Sequence, residues 1–139
     1  MAVEPNEEQF ARVAKHAAGA ADGPVVMLNL NRYRDRDAYM RYGVVAAAVL
    51  ERVGGRILWH TDARMTVIGD DADRYDEVIA VWYTSLAAFS ALATDPEILE
   101  ARAHRLDGLE RAALICCEPG ISGEQLTQEA LGSVEERPR

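Results

Sequence analysis

Pro24-Val-Val-Met-Leu-Asn-Leu-Asn31 and the helical run that follows it, Asp37 to Val53 with the stop Gly54-Gly55, decide how this chain is read. The first segment is short, rich in apolar residues and preceded by the turn Asp22-Gly23, which predicts a strand. In the second, Ala38, Tyr42, Val45, Ala46, Val49, Leu50 and Val53 recur at helical spacing behind Asp35 or Asp37 as cap, and the glycine pair ends the helix. Outward from there, Arg56 to Ile68 and Glu77 to Tyr83 read as strands. The former is long for one straight strand, and Thr61-Asp62-Ala63 suggests a bend or bulge. Ser85 and then Asp95-Pro96 start two helical pieces, and Ala112 to Cys117 is a last strand. The order is β-α-β-β-α-β, one sheet packed under helices.

Alternation along the first strand puts Val26, Leu28 and Leu30 on one face and Met27, Asn29 and Asn31 on the other. The wholly apolar set is expected to meet the helices. The amide-bearing set is expected to face something wet or polar, because each Asn brings several groups that need partners. Glu77 to Tyr83 is apolar on both faces and reads as a central strand.

Both flanks carry helix signals. Asn6, Glu7 and Glu8 open a helix through Phe10, Val13, Ala14 and Ala17, so residues 1–22 read as an appended N-terminal helix beside a body at 23–118. In 119–139, Ser122-x-x-Gln125 followed by Leu126, Ala130 and Leu131 predicts a short helix packed on a neighbour, with a frayed end from Gly132.

The chain has 139 residues, suited to a single domain. A net charge of −8 argues against nucleic acid or an anionic membrane surface as partner. Cys116 and Cys117 are adjacent, point to opposite sides of a strand and read as two buried thiols, which with no signal or membrane-spanning segment predicts a cytoplasmic protein. Gly69-Asp70-Asp71-Ala72-Asp73 is acidic but lacks the spacing of a calcium loop, and His16, His60 and His104 are far apart, so no metal site is expected. Phosphate-loop, dinucleotide and nucleophile-elbow motifs are absent, and no cofactor is expected.

Taken together, Val26-Met-Leu-Asn-Leu30, Arg32-Tyr-Arg-Asp35, Gly54-Gly-Arg-Ile-Leu-Trp59, Ile68-Gly69, Asp76-Glu-Val78, Tyr83-Thr-Ser-Leu86, Asp95-Pro-Glu97, His104-Arg105 and Gly108-Leu-Glu110 resemble the DUF1330 family of dimeric α/β barrels. The resemblance spans about residues 23 to 118. It implies an α+β, ferredoxin-like fold, an antiparallel sheet with helices on one face, and a homodimer in which two such sheets face each other. Members of the wider superfamily include small monooxygenases, cyclases, decarboxylases, haem-binding proteins and stress proteins. The family itself implies no single activity.

In that arrangement Met27, Asn29 and Asn31 are expected to line a pocket between the subunits. His104 with Arg105 is a candidate proton carrier and anion holder; the alternative is a helix-end pairing of Arg105 with Glu110 or Asp107. Asn29 and Asn31 could donate to a ligand carbonyl or bond across the dimer. Trp59 and His60 are neighbours on a strand, so one of them faces the pocket. Trp82 beside Ala80 could supply an aromatic wall or simply pack, and Arg64 is a candidate for the rim. The expectation is a cofactor-free enzyme of monooxygenase, cyclase, isomerase or decarboxylase type on a small organic molecule. The alternative is a non-enzymatic binding or stress-response protein.

Overall fold

A computed structural model describes residues 2–136, with side chains described through 132. The elements run α1 (Glu7–Ala17), β1 (Val25–Tyr33), α2 (Arg36–Arg52), β2 (Arg56–Asp62), a 3-10 turn (Asp71–Asp73), β3 (Glu77–Tyr83), α3 (Leu86–Ala93), α4 (Pro96–Gly108), β4 (Leu109–Cys117) and α5 (Gly123–Glu136). The strands form one antiparallel four-stranded sheet in the order β2-β3-β1-β4. This is the ferredoxin-like arrangement, with β1 and β3 central.

Local chemistry sets the helix limits. Asn6, Asp35, Ser85 and Asp95 each accept a backbone N–H in the first turn of α1, α2, α3 and α4. At the end of α2, Gly54 takes φ +78°. Gly54 N–H then bonds Glu51 and Gly55 N–H bonds Leu50, which closes the last carbonyls of the helix. Strand β2 ends at Asp62, and its irregularity falls at Leu58 rather than at Thr61–Ala63. Helix α5 continues through Glu136 instead of fraying from Gly132, while 137–139 lie outside the described residues. Its Leu126 and Leu131 stay exposed, so the expected packing on a neighbouring element is not seen within the chain.

The core lies between the sheet and α2, α3 and α4. Val25, Met27 and Tyr83 meet Val49, Leu50, Leu92 and Ile98 there. Burying an aliphatic side chain of this kind stabilises by about 1.5–3 kcal/mol.

This core reverses the face assignment drawn from the sequence. Met27, Asn29 and Asn31 face the helices, and Val26, Leu28 and Leu30 lie on the uncovered side. The registers carry the reversal through the sheet: Val26 opposes Trp82, Leu28 opposes Ala80 and Ile115, and Ala80 opposes Trp59. Asn31 is tolerated under the helices because Tyr39 and Glu77 partner it, while Asn29 bonds the Met27 carbonyl on its own strand and borders the cavity. Cys116 is exposed and Cys117 half-buried near the end of the edge strand β4, so the pair is not buried as expected. Among the described residues no helix is long and apolar enough to cross a membrane.

Candidate functional site

Between the sheet and its helices lies a cavity of about 380 Å³. Asn29, Asn31, Tyr83 and Leu114 form its floor, Tyr39 and Tyr42 of α2 one wall, and Phe89, Leu92, Ile98, Arg102 and Arg105 of α3 and α4 the other. Phe10, Val13 and Ala14 of α1 roof it, with Glu4 and Pro5 at one end. An apolar enclosure with few convergent polar groups, at the lower end of the roughly 300–1,000 Å³ of ligand pockets, suits a small organic molecule.

Tyr39 is positioned by a close backbone approach. A Cβ on Gly108 would lie 2.5 Å from the Tyr39 nitrogen and 2.7 Å from its Cα, so only glycine lets the α4–β4 junction rest on the first turn of α2. The Gly108 carbonyl also accepts from Arg34 N at 2.8 Å and Asp35 N at 3.2 Å.

Beneath Tyr39 runs a polar network centred on Glu77, whose residue is 2% exposed. Asn31 Nδ2 donates to Tyr39 Oη at 3.0 Å and to Glu77 Oε1 at 2.9 Å. Tyr33 Oη donates to Glu77 Oε2 at 2.5 Å, and His60 Nε2 lies 3.0 Å from the same oxygen. Facing a carboxylate, Nε2 carries the hydrogen. Three donors thus compensate one buried carboxylate, which is what keeps such a group tolerable away from water. The His60 side chain is 45% exposed, so the network runs from the cavity wall to solvent. Burial, and then the Glu77 charge, holds the Tyr39 hydroxyl above the ordinary tyrosine range. Burial and the Glu77 hydrogen bond do the same for Tyr33.

At the other end of the cavity, the Arg105 guanidinium sits 5.9 Å from the Tyr42 ring centre and donates to the Val3 carbonyl. Arg102 Nε and Nη2 reach the two carboxylate oxygens of Glu4 at 2.5 and 2.7 Å. The hydrogen bond from Arg102 is the main reason that the Glu4 carboxyl is held below its usual range.

Of the side chains singled out from sequence, Asn29, Asn31 and Arg105 line this cavity, and His60 joins it through Glu77. Asn29 Nδ2 donates to the Met27 carbonyl on its own strand at 3.1 Å. His104 lies in a separate shallow recess with Val45, Glu97, Glu100 and Ala101, on a part of α4 that does not line the cavity. Arg64 is exposed in the β2–β3 connection. Trp59 and Trp82 lie on the uncovered face, with Arg56 stacked 5.1 Å from the Trp82 ring centre. The expected Arg105 pairing with Glu110 is not formed; Glu110 bonds the buried Arg32 at 3.2 Å. This half-open cavity lies under the helices, whereas the pocket expected from sequence lay between the subunits. Tyr39, Tyr42, Glu77 and Glu4 escaped the sequence reading. The one available signal was Glu77, a carboxylate at the head of a strand otherwise apolar on both faces. Among the described residues no three His, Cys, Asp or Glu side chains are grouped to hold a metal ion.

Fold and site together define a ferredoxin-like α+β protein with a small internal cavity between sheet and helices. The chain belongs to the DUF1330 family (domain of unknown function), whose sequence profile matches residues 24–118. The RPA0582 protein of unknown function from Rhodopseudomonas palustris is 33% identical, with a TM-score of 0.76 over 86% of this chain and 98% of that chain. The methylated form of RPA0582 gives a TM-score of 0.77 at 33% identity, over 88% and 97%. A dimeric ferredoxin-like protein of unknown function from Jannaschia sp. CCS1 shares the fold at 14% identity and a TM-score of 0.53, over 70% and 100%. No curated protein matches the sequence.

Proposed function

We propose that this protein is a homodimeric, cofactor-free enzyme that moves a proton on a small, largely apolar organic molecule bearing a carbonyl or enol. The observation that carries the reading is the network that holds the Tyr39 hydroxyl at the cavity wall on Asn31 Nδ2, with Glu77 and the part-exposed His60 behind it. A hydroxyl kept protonated at neutral pH is a donor suited to a developing oxyanion, and the buried carboxylate behind it fixes the network by accepting from Asn31, Tyr33 and His60. Arg105 supplies the positive charge that polarises the carbonyl. The homodimer is supported by the uncovered apolar face, where Trp59 is 46% and Ile115 49% exposed, and by the dimeric relative of like fold. Residues 24–118 form the catalytic body in this reading, and the flanking helices are additions to it.

A non-enzymatic binding protein is the second reading. Its support is that Asn29 and Arg105 already spend donors on the carbonyls of Met27 and Val3 rather than aiming them into empty space. One experiment separates the two. A metabolite extract is screened by native mass spectrometry, and the retained compound is then incubated with the protein in deuterated water. The enzyme reading expects exchange at a carbon beside the carbonyl, lost in Tyr39→Phe and slowed in His60→Gln while binding persists. Retention without exchange in the parent protein leaves the binding reading standing. No retained compound removes both.

A further inference from the structure

Residues 2–22 precede the family-matched body, yet they close its cavity. Ala112 N on the outer edge of β4 donates to the Ala2 carbonyl at 3.0 Å. At the far end of this arm, Asp22 accepts from Leu86 N at 2.8 Å and Ala87 N at 3.2 Å, which ties it to the start of α3. Between these anchors the arm places one carboxylate, Glu4, on the guanidinium of Arg102 through both oxygens. Glu4 is the acidic residue of the cavity lining, where it meets Arg102 and Arg105. Two cations turned toward one apolar space are unusual in a chain of net charge −8. A planar guanidinium with parallel donors matches a carboxylate whatever molecule carries it.

We infer that Arg102 anchors the carboxylate of the cavity's ligand, and that Glu4 is an internal stand-in which that ligand displaces. The ligand class is a monocarboxylate with an aromatic or alkyl body, the head at Arg102 and Arg105 and the body against Phe89 and Leu92. The inference rests on the cavity being a small-molecule site. Exchange does not require the core to open, because the side chains of Arg102 and Glu4 are 56% and 32% exposed at the cavity mouth. Displacement would release the Glu4 side chain while the Ala2 carbonyl stays on Ala112 N.

Calorimetric titration of the full chain with 3-phenylpropionate and octanoate, each beside its neutral primary amide, tests this. The carboxylates should bind more tightly than the amides. Glu4→Gln should raise carboxylate affinity roughly tenfold while amide affinity changes less than about twofold, since only the charged ligand competes with the stand-in. Arg102→Gln should erase the carboxylate preference, and Arg102→Lys, which keeps the charge without the fork, should restore part of it. Should Arg102→Gln unfold, judged by circular dichroism, the Glu4→Gln and Arg102→Lys comparisons decide alone. Equal binding of acid and amide in both the parent and Glu4→Gln overturns the inference and leaves the cavity a neutral-ligand site. Failure of all four probes to bind also overturns it, whereas the metabolite screen decides independently whether the cavity takes any small molecule.

Discussion

The two faces of the single sheet contrast sharply in chemistry. The face under the helices carries Asn29, Asn31 and Glu77 among its apolar residues, and there the helices stand off far enough to leave a cavity. The opposite face presents Leu28, Ala80, Trp59, Trp82 and Ile115, and among the described residues no helix packs over it. A polar residue on a strand therefore does not mark the wet side. It marks the side where other elements bring partners, and those partners can build a site. An apolar uncovered face instead calls for a second protein surface.

The contrast can be broken from either side. The largest effect is expected on the uncovered face: Trp59→Glu combined with Ile115→Glu should turn the proposed dimer into a monomer in sedimentation velocity, with the helical circular dichroism retained. A dimer that survives both charges would mean that another surface joins the subunits. Next comes the covered face. Glu77→Ala strips the shared acceptor from Asn31, Tyr33 and His60, and a buried donor left unsatisfied costs about 1–3 kcal/mol. Urea unfolding measures this, and a loss below about 1 kcal/mol, the worth of one ordinary hydrogen bond, would demote Glu77 to a surface-like role.

The smallest effect is a pH dependence that belongs to the covered face. The hydroxyls of Tyr33, Tyr39, Tyr42 and Tyr83 are all pushed above the ordinary value of 10, burial being the first cause in each. The folded state holds these protons more tightly than the unfolded chain does. Their contribution is therefore complete below pH 10 and is lost as the pH rises from there through the raised values. Tyrosinate absorbance should rise together with unfolding in alkali. Ionisation of these groups near pH 10 in a still-folded protein would contradict the burial of the network.

Much of the fold was legible because its signals are local. Asn6, Asp35, Ser85 and Asp95 cap the helices they precede, and Gly54-Gly55 ends α2, because a cap's partners lie within about five residues. The site was only partly legible. Asn29, Asn31 and Arg105, singled out from sequence, line the cavity, whereas the two tryptophans fell on the other face and His104 on another part of α4. Tyr42 read as a member of an apolar helix stripe and Tyr39 was not singled out at all; nothing in that spacing reveals which rings border a cavity.

What the sequence determined by itself was the order of elements, the caps of the main helices and the two sets of side chains that alternate along β1. Only the tertiary structure decided which set the helices cover. Alternation is unchanged when the faces are exchanged, and the choice is made by where the helical crossovers return and by partners distant in sequence. Asn31 meets Glu77 across 46 positions, and Glu4 meets Arg102 across 98.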